Sequence, residues 1–272
     1  MSNIIEKIES LPPLPKTIKE IEEFRKKPQK ESYELLEIIE KDPLIISTLL
    51  KIANSAMFGF RSKVETPSRA INLLGVNFTI SIAIGGTVQN LLTTSLEPYG
   101  INTDDFLRAS NIATSLENLW LKNVDYDLKE ELVLPTLLQE TGKFIISDII
   151  LSNGKVKEFS EKIKTTDNIA SVERDYTGYS TSDITAKIFK HWKLSNNLVG
   201  CIENVDSIEK ATQDYVLKSK ILNVLKTACD IRNPLNENAV NDAIKKSLDY
   251  GLDTKALETA ITNLQDRLLD EV

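Results

Sequence analysis

Apolar residues recur along this chain at three- and four-residue spacing, while alternating β-branched runs are few, a pattern that predicts an all-α fold. The first helix, Lys16 to Arg25, places Ile18, Ile21 and Phe24 on one face, and Pro28 ends it. It follows the rigid segment Leu11-Pro12-Pro13-Leu14-Pro15. A second helix begins at Ser32 and carries Leu35, Leu36, Ile38 and Ile39. Asp42-Pro43 reads as an N-cap followed by proline at the first helical position, opening a third helix, Leu44 to Ala53, which is apolar nearly all round and should be buried. Asn54 to Gly59 reads as a turn. Thr66-Pro67 repeats the cap-plus-proline device before Ala70, Ile71, Leu73 and Leu74, with Gly75 as the C-cap. The next helix, Val76 to about Thr94, contains Gly85-Gly86, and two helical glycines, each costing about 1 kcal/mol against alanine, imply a close helix contact or a bend.

Pro98-Tyr99-Gly100 interrupts the pattern, and a boundary between two helical lobes is expected near Pro98 to Asn102. Beyond it the periodicity predicts helices at Asp104 to Lys122, Leu128 to Leu151, Lys155 to Lys164, Ile169 to Tyr176, Ser182 to Trp192 and Asn196 to Asn204. Residues 211–272 alternate amphipathic helices with breaks at Asn233-Pro234 and Tyr250-Gly251. The expected organisation is an N-terminal lobe over about 8–97, a second lobe over about 103–210, and C-terminal helices from 211 to 272 that complete or pack on the second lobe. No period of about 20 to 50 residues recurs, so a repeat solenoid is not expected.

Composition narrows the function classes. A 272-residue chain with 41% hydrophobic content can bury one large core or two smaller ones. The apolar runs stop short of the roughly 18 to 20 residues that span a bilayer, and the start lacks a signal-peptide pattern, so the expectation is a cytoplasmic protein without membrane insertion. Cys201 and Cys229 stand without CxxC spacing and read as small core residues. A net charge of -7 repels nucleic acid. The one basic run, Arg25-Lys26-Lys27 with Lys30, is ringed by Glu20, Glu22, Glu23 and Glu31 and reads as a solvated helix end.

Candidate chemistry is sparse. His191 is the single histidine, so Ser-His or Cys-His catalysis would depend on one residue that sits beside Trp192 with no partner motif. No glycine-rich phosphate loop is present: Thr141-Gly142-Lys143 lacks the first glycine and the preceding strand of a P-loop.

Four blocks carry a family resemblance: Leu11-Pro12-Pro13-Leu14-Pro15, Ile39-Glu40-Lys41-Asp42-Pro43, Leu49 to Gly59, and Ala70-Ile71-Asn72-Leu73-Leu74-Gly75. In order and spacing they resemble the HDOD family, the HD-related output domain of bacterial signalling. The likeness continues through Leu137 to Lys143, Gly178 to Leu194 and Leu222 to Leu225, nearly the whole chain. It implies an all-helical relative of the HD phosphohydrolases, whose metal ligands are histidines and aspartates from several helices. By that resemblance the first histidine falls near Ala109, the His-Asp pair on Gln139 and Glu140, a third ligand near Thr181, and a His-His pair near Val205 and Asp206. Alanine and valine offer no donor, and glutamine and threonine are poor first ligands, so the resemblance implies a degenerate site without metal, cofactor or hydrolysis. Glu140, Asp206 and Glu203 remain as carboxylates, and a vestigial site should tolerate Glu140→Ala.

Two readings follow. In the first, the chain is a non-catalytic signalling module that docks a protein partner in a signalling or motility pathway; no receiver, GGDEF, EAL or kinase pattern accompanies it, and self-association stays open. Asn54, Ser55, Met57 and Phe58 form the most recognisable surface block, against the plainer reading of a capped turn packing its apolar residues inward. In the second, the old cleft keeps residual metal-dependent phosphohydrolysis or senses a nucleotide or phosphate through helix N-termini and Lys143 or Arg108.

Overall fold

The computed structural model describes residues 4–54, 60, 62–122, 124–166 and 168–269, and among these residues the regular structure is entirely helical. In chain order the helices are α1 (Ile4–Glu9), α2 (Lys16–Arg25), α3 (Ser32–Ile39), α4 (Pro43–Ala53), α5 (Pro67–Leu74), α6 (Val76–Leu91), α7 (Thr103–Leu121) and α8 (Tyr126–Leu138). There follow α9 (Gly142–Ser152), α10 (Val156–Lys164), α11 (Ile169–Thr177), α12 (Thr181–His191), α13 (Asn196–Glu203), α14 (Val216–Ala228), α15 (Glu237–Asp249) and α16 (Thr254–Leu269). Short 3-10 turns occupy Glu97–Tyr99 and Ile208–Lys210. Among the described residues no single helix is long and apolar enough to cross a membrane.

The chain divides into two compact units, one formed by Pro12–Leu91 with Asp266–Val272 and the other by Met1–Leu11 with Leu92–Gln265. In the first, α6 is the central element, packed by α2, α4 and α5 and buried continuously from Thr79 to Val88. Both cap-plus-proline signals form: the Asp42 carboxylate accepts from the Leu44 amide at 3.0 Å, and Thr66 Oγ1 accepts from the Arg69 amide at 3.2 Å. Gly75 takes φ +84°, the left-handed backbone that the sharp α5–α6 corner requires. Gly86 explains its place inside α6, because a Cβ there would lie 2.6 Å from Thr48 Cγ2 of α4. The basic run is neutralised, with Lys26 on Glu23 at 2.7 Å, Lys27 on Glu34 at 2.6 Å and Arg25 on Glu22 at 3.5 Å.

Asn54 ends α4 as a staple, not as a free surface group. Its side-chain amide donates to the Leu50 and Val64 carbonyls, and its Oδ1 accepts from the Val64 amide, each at 2.8 Å. Ser55, Met57 and Phe58, the rest of that candidate contact block, lie outside the described residues.

The second unit is built on the α7–α8 hairpin, against which α14 packs, and on α12, which packs against α9 and α13. Helix α1, absent from the sequence reading, lies on α9 and α12 and is tied to α9 by a Lys7–Asp148 ion pair of 2.5 Å. The Trp120 indole donates to the Asp253 carbonyl at 3.0 Å, fixing α7 to the start of α16. Cys201 and Cys229 are both buried.

Three helix expectations are corrected. Helix α4 is not buried all round but on one stripe, Ile45, Leu49 and Ala53, with Leu44 exposed. Leu128 to Leu151 is not continuous but breaks at Gln139–Thr141 into α8 and α9. Tight turns replace the helical ladder there, with the Thr141 amide donating to Leu138 O at 3.0 Å and the Lys143 amide to Glu140 O at 3.1 Å. The cause is close packing on α12: a Cβ on Gly142 would meet the Thr181 carbonyl at 2.4 Å, and the Gly142 amide donates to Thr185 Oγ1 at 2.8 Å. The helix at Val76 likewise ends at Leu91, short of Thr94.

Candidate functional site

The α8–α9 break points Glu140 and, one turn later, Lys143 into the interior of the second unit. Both are buried, and so are Glu173 of α11 and Thr181 at the first position of α12. Lys143 Nζ donates to Glu173 Oε1 at 2.9 Å and to Thr181 Oγ1 at 3.1 Å, and pairs with Glu140 Oε2 at 3.0 Å. It also lies 4.7 Å from the centre of the Tyr99 ring. Its three protons therefore have three oxygen neighbours inside the chain. Lys226, from α14, reaches the other side of the same group, with Asp206 Oδ1 at 2.8 Å, Asp206 Oδ2 at 3.0 Å and Glu140 Oε1 at 3.2 Å.

Two of the carboxylates are held just as fully, whereas Glu140 Oε1 faces Lys226 without a hydrogen bond. Glu173 Oε1 accepts from Tyr99 OH at 2.8 Å and from Thr181 Oγ1 at 2.7 Å besides Lys143, while Oε2 accepts from the Thr181 amide at 2.7 Å. Asp206 Oδ2 accepts from the Ser182 amide at 3.1 Å. The first two amides of α12, the positive end of its dipole, are thus filled by two carboxylates of the same chain. Arg174 closes the margin, donating to Ser207 Oγ at 2.8 Å and lying 3.6 Å from the Asp183 carboxylate.

The electrostatics follow from this pairing. Burial opposes charge on Asp206, yet the Lys226 ammonium beside it and the Ser182 amide hold its carboxyl well below the usual range. Burial also works against charge on Lys143 and Lys226, but the neighbouring carboxylates outweigh it and raise both above the ordinary lysine value. Burial, and then Glu173, pushes the Tyr99 phenol well up, so it stays a proton donor.

The sequence-derived positions distribute unevenly about this cluster. Gln139, Glu140, Thr181 and Asp206 come together around it, and Ala109, buried on α7, lies three residues from Phe106, whose ring meets that of Phe144 on α9 with centroids 4.9 Å apart. Gln139 contributes its backbone oxygen, which accepts from Thr185 Oγ1 at 3.1 Å. Val205 is buried, and its carbonyl accepts from Asn223 at 2.8 Å. Arg108 is exposed on α7, and Glu203 pairs on the surface with Lys190 at 2.5 Å. His191 is exposed in the last turn of α12, about 15 Å of helix from Thr181. Glu140→Ala would remove the carboxylate that stands between the buried Lys143 and the half-buried Lys226.

Sequence reading missed Tyr99, Glu173 and Lys226. A signal existed: Lys226 falls four residues after Leu222 on the buried stripe of α14, and Glu173 four after Ile169 on α11. A charge at a core position of an amphipathic helix requires a buried partner.

A dinuclear metal centre does not fit these residues. Ala109 and Val205 have no donor atom, and each remaining carboxylate is already bound to a lysine. Among the described residues no group of three or more His, Cys, Asp or Glu side chains is placed to hold a metal ion.

A multi-helical unit whose central polar cluster is a lysine–carboxylate network defines the class of this protein. The chain belongs to the HDOD family, whose domain matches residues 11–208. Among solved structures it is similar to a candidate phosphohydrolase from Shewanella amazonensis, at 19% identity and TM-score 0.74, over 97% of this chain and 94% of that one. It is similar to a virulence factor from Campylobacter jejuni, at 25% identity and TM-score 0.55, over 94% of each chain. It also resembles a candidate signal transduction protein from Marinobacter aquaeolei, at 19% identity and TM-score 0.73, over 98% of this chain and 59% of that one. No curated protein matches the chain.

Proposed function

We propose that this chain is a non-catalytic regulatory module of bacterial signalling that acts through contacts with a protein partner. The observation that carries the reading is the closed network at the centre of the HD-like unit. Metal-assisted hydrolysis needs open coordination positions for water and substrate. Here Lys143 and Lys226 take up the oxygens of Glu140, Glu173 and Asp206. The same closure argues against a phosphate sensor at this place, because Lys143 is buried and committed and the α12 amides already hold carboxylates. Membership of the HDOD family and likeness to a protein named for signal transduction support a signalling role. An overall charge of -7 and the internal pairing of the one basic run speak against nucleic acid as the partner.

The test is turnover by the purified chain of generic phosphomonoester, phosphodiester and nucleotide substrates in Mg²⁺, Mn²⁺ and Fe²⁺. Rates equal to buffer are expected. Hydrolysis that disappears in the Glu140→Gln variant would overturn the reading.

A further inference from the structure

The five charged groups of the cluster form a chain of alternating sign, Glu173–Lys143–Glu140–Lys226–Asp206. Its links are 2.9, 3.0, 3.2 and 2.8 Å long. Glu140 is the bridge, one carboxylate oxygen facing each ammonium group. A carboxylate spanning two cations is the arrangement of a two-metal site, in which fixed positive charges allow several acidic side chains to be buried together. The carboxylates come from the α8–α9 break, α11 and the segment after α13, and the lysines from α9 and α14, so the network joins elements distant in sequence.

We propose that Lys143 and Lys226 are built-in cations that do the structural work of two metal ions, and that the Lys226 ammonium masks a latent divalent-cation site formed by Glu140 and Asp206. Three observations support this. The lysines are the cations adjoining Glu140, Glu173 and Asp206, which otherwise would be buried with uncompensated charge. Lys226 touches both oxygens of Asp206 and one of Glu140, so its removal leaves three hard oxygen atoms around one point. Its side chain is 18% exposed, against 3% for Lys143, so a hydrated ion has an approach on the Lys226 side. The scheme also accounts for the use of lysine, a compact point charge whose three donors can face more than one carboxylate.

The inference builds on the non-catalytic reading, but its readouts are melting and binding. Thermal unfolding of the full chain is measured in EDTA and in millimolar Mn²⁺, with Mn²⁺ binding followed by electron paramagnetic resonance. The native chain is expected to melt at the same temperature in both. Lys226→Ala is expected to melt about 10 °C lower in EDTA and to regain about half of that loss in Mn²⁺ with stoichiometric binding. Lys226→Ala/Asp206→Asn should regain none of it. Metal-dependent melting of the native chain, or a Lys226→Ala chain that neither binds nor responds to Mn²⁺, overturns the proposal. If Lys226→Ala does not fold, Lys226→Met/Asp206→Leu decides: removing both charges should restore a cooperative transition, and its failure to do so overturns the role of Lys226 as a counter-charge. Hydrolysis by a native chain whose melting ignores metal would sink the functional reading alone.

Discussion

Two glutamates in the second unit are fully buried and have opposite surroundings. Glu173 of α11 has both oxygens satisfied, by a lysine, a tyrosine, a threonine hydroxyl and an amide. Glu117 of α7 has no hydrogen-bond partner on either oxygen. Lys129 exerts an opposing pull on it, but pairs with Glu130 at 3.1 Å. Burial therefore raises the Glu117 carboxyl well above its ordinary value and favours its neutral form in the core. The contrast shows what this fold requires of a buried carboxylate: a cation within hydrogen-bond reach, or a proton. It also separates design from accident, because the partnered acid joins several elements and the unpartnered one joins none.

The largest effect should come from breaking the partnered side. Glu173→Ala takes from the buried Lys143 one of its two carboxylate partners, leaving Glu140 to face both lysines, and frees the first amide of α12. Removing one partner of a buried pair costs about 3–5 kcal/mol. The expected outcome in urea unfolding is a loss of that size, with the transition of the second unit moved to lower denaturant. A loss below about 1 kcal/mol would place the pair among surface ion pairs and erase the contrast with Glu117.

The fold was largely readable in advance and the cluster was not, for a physical reason visible in individual residues. Caps and corners are local: Asp42, Thr66 and Gly75 act within four residues of themselves, and all three formed as the sequence implied. The α8–α9 break is set from outside by the backbone of α12 pressing on Gly142, so the periodicity ran through it unbroken. Helix α1 has six residues, too few for a periodic signal. The cluster combines both difficulties. Gln139, Glu140, Thr181 and Asp206 were located by their positions in a family pattern, whereas Lys143, Glu173 and Tyr99 are joined by contacts spanning 30 to 74 positions of sequence, and Lys226 reaches back to Asp206 and Glu140 from another helix. The identity of a position can be read along the chain, but its partner can be read only in the folded unit.

A second, smaller effect concerns the unpartnered side and has the opposite sign. Glu117→Leu replaces an unsatisfied buried carboxyl with an apolar group of similar size, and a stabilisation of about 1–3 kcal/mol is expected at neutral pH. The pH dependence identifies the cause. Since the folded-state value of Glu117 lies above its unfolded value near 4.5, the native chain keeps its full stability below that value. It loses stability as pH rises toward the raised one. The difference between Glu117→Leu and the native chain should therefore be smallest near pH 4 and grow toward neutrality. A constant difference across that window would mean that packing, and not ionisation, separates the two.

The smallest change tests how redundant the partnered side is. Tyr99→Phe removes one of the four donors on Glu173 and keeps the ring, whose edge-to-face contact with Phe159, centroids 5.2 Å apart, and position beside Lys143 do not depend on the hydroxyl. Glu173 would retain Lys143 and both Thr181 donors, so no atom is left wholly unpaired. A hydrogen bond to a charged acceptor contributes about 1.5–3 kcal/mol when its loss strands a group. The expected cost here, about 1 kcal/mol in urea midpoint, lies below that range because the remaining donors still neutralise the carboxylate. If Tyr99→Phe were as damaging as Glu173→Ala, the phenol and not the lysine would be the principal partner of Glu173. The difference between the two glutamates would then reduce to one neutral hydroxyl.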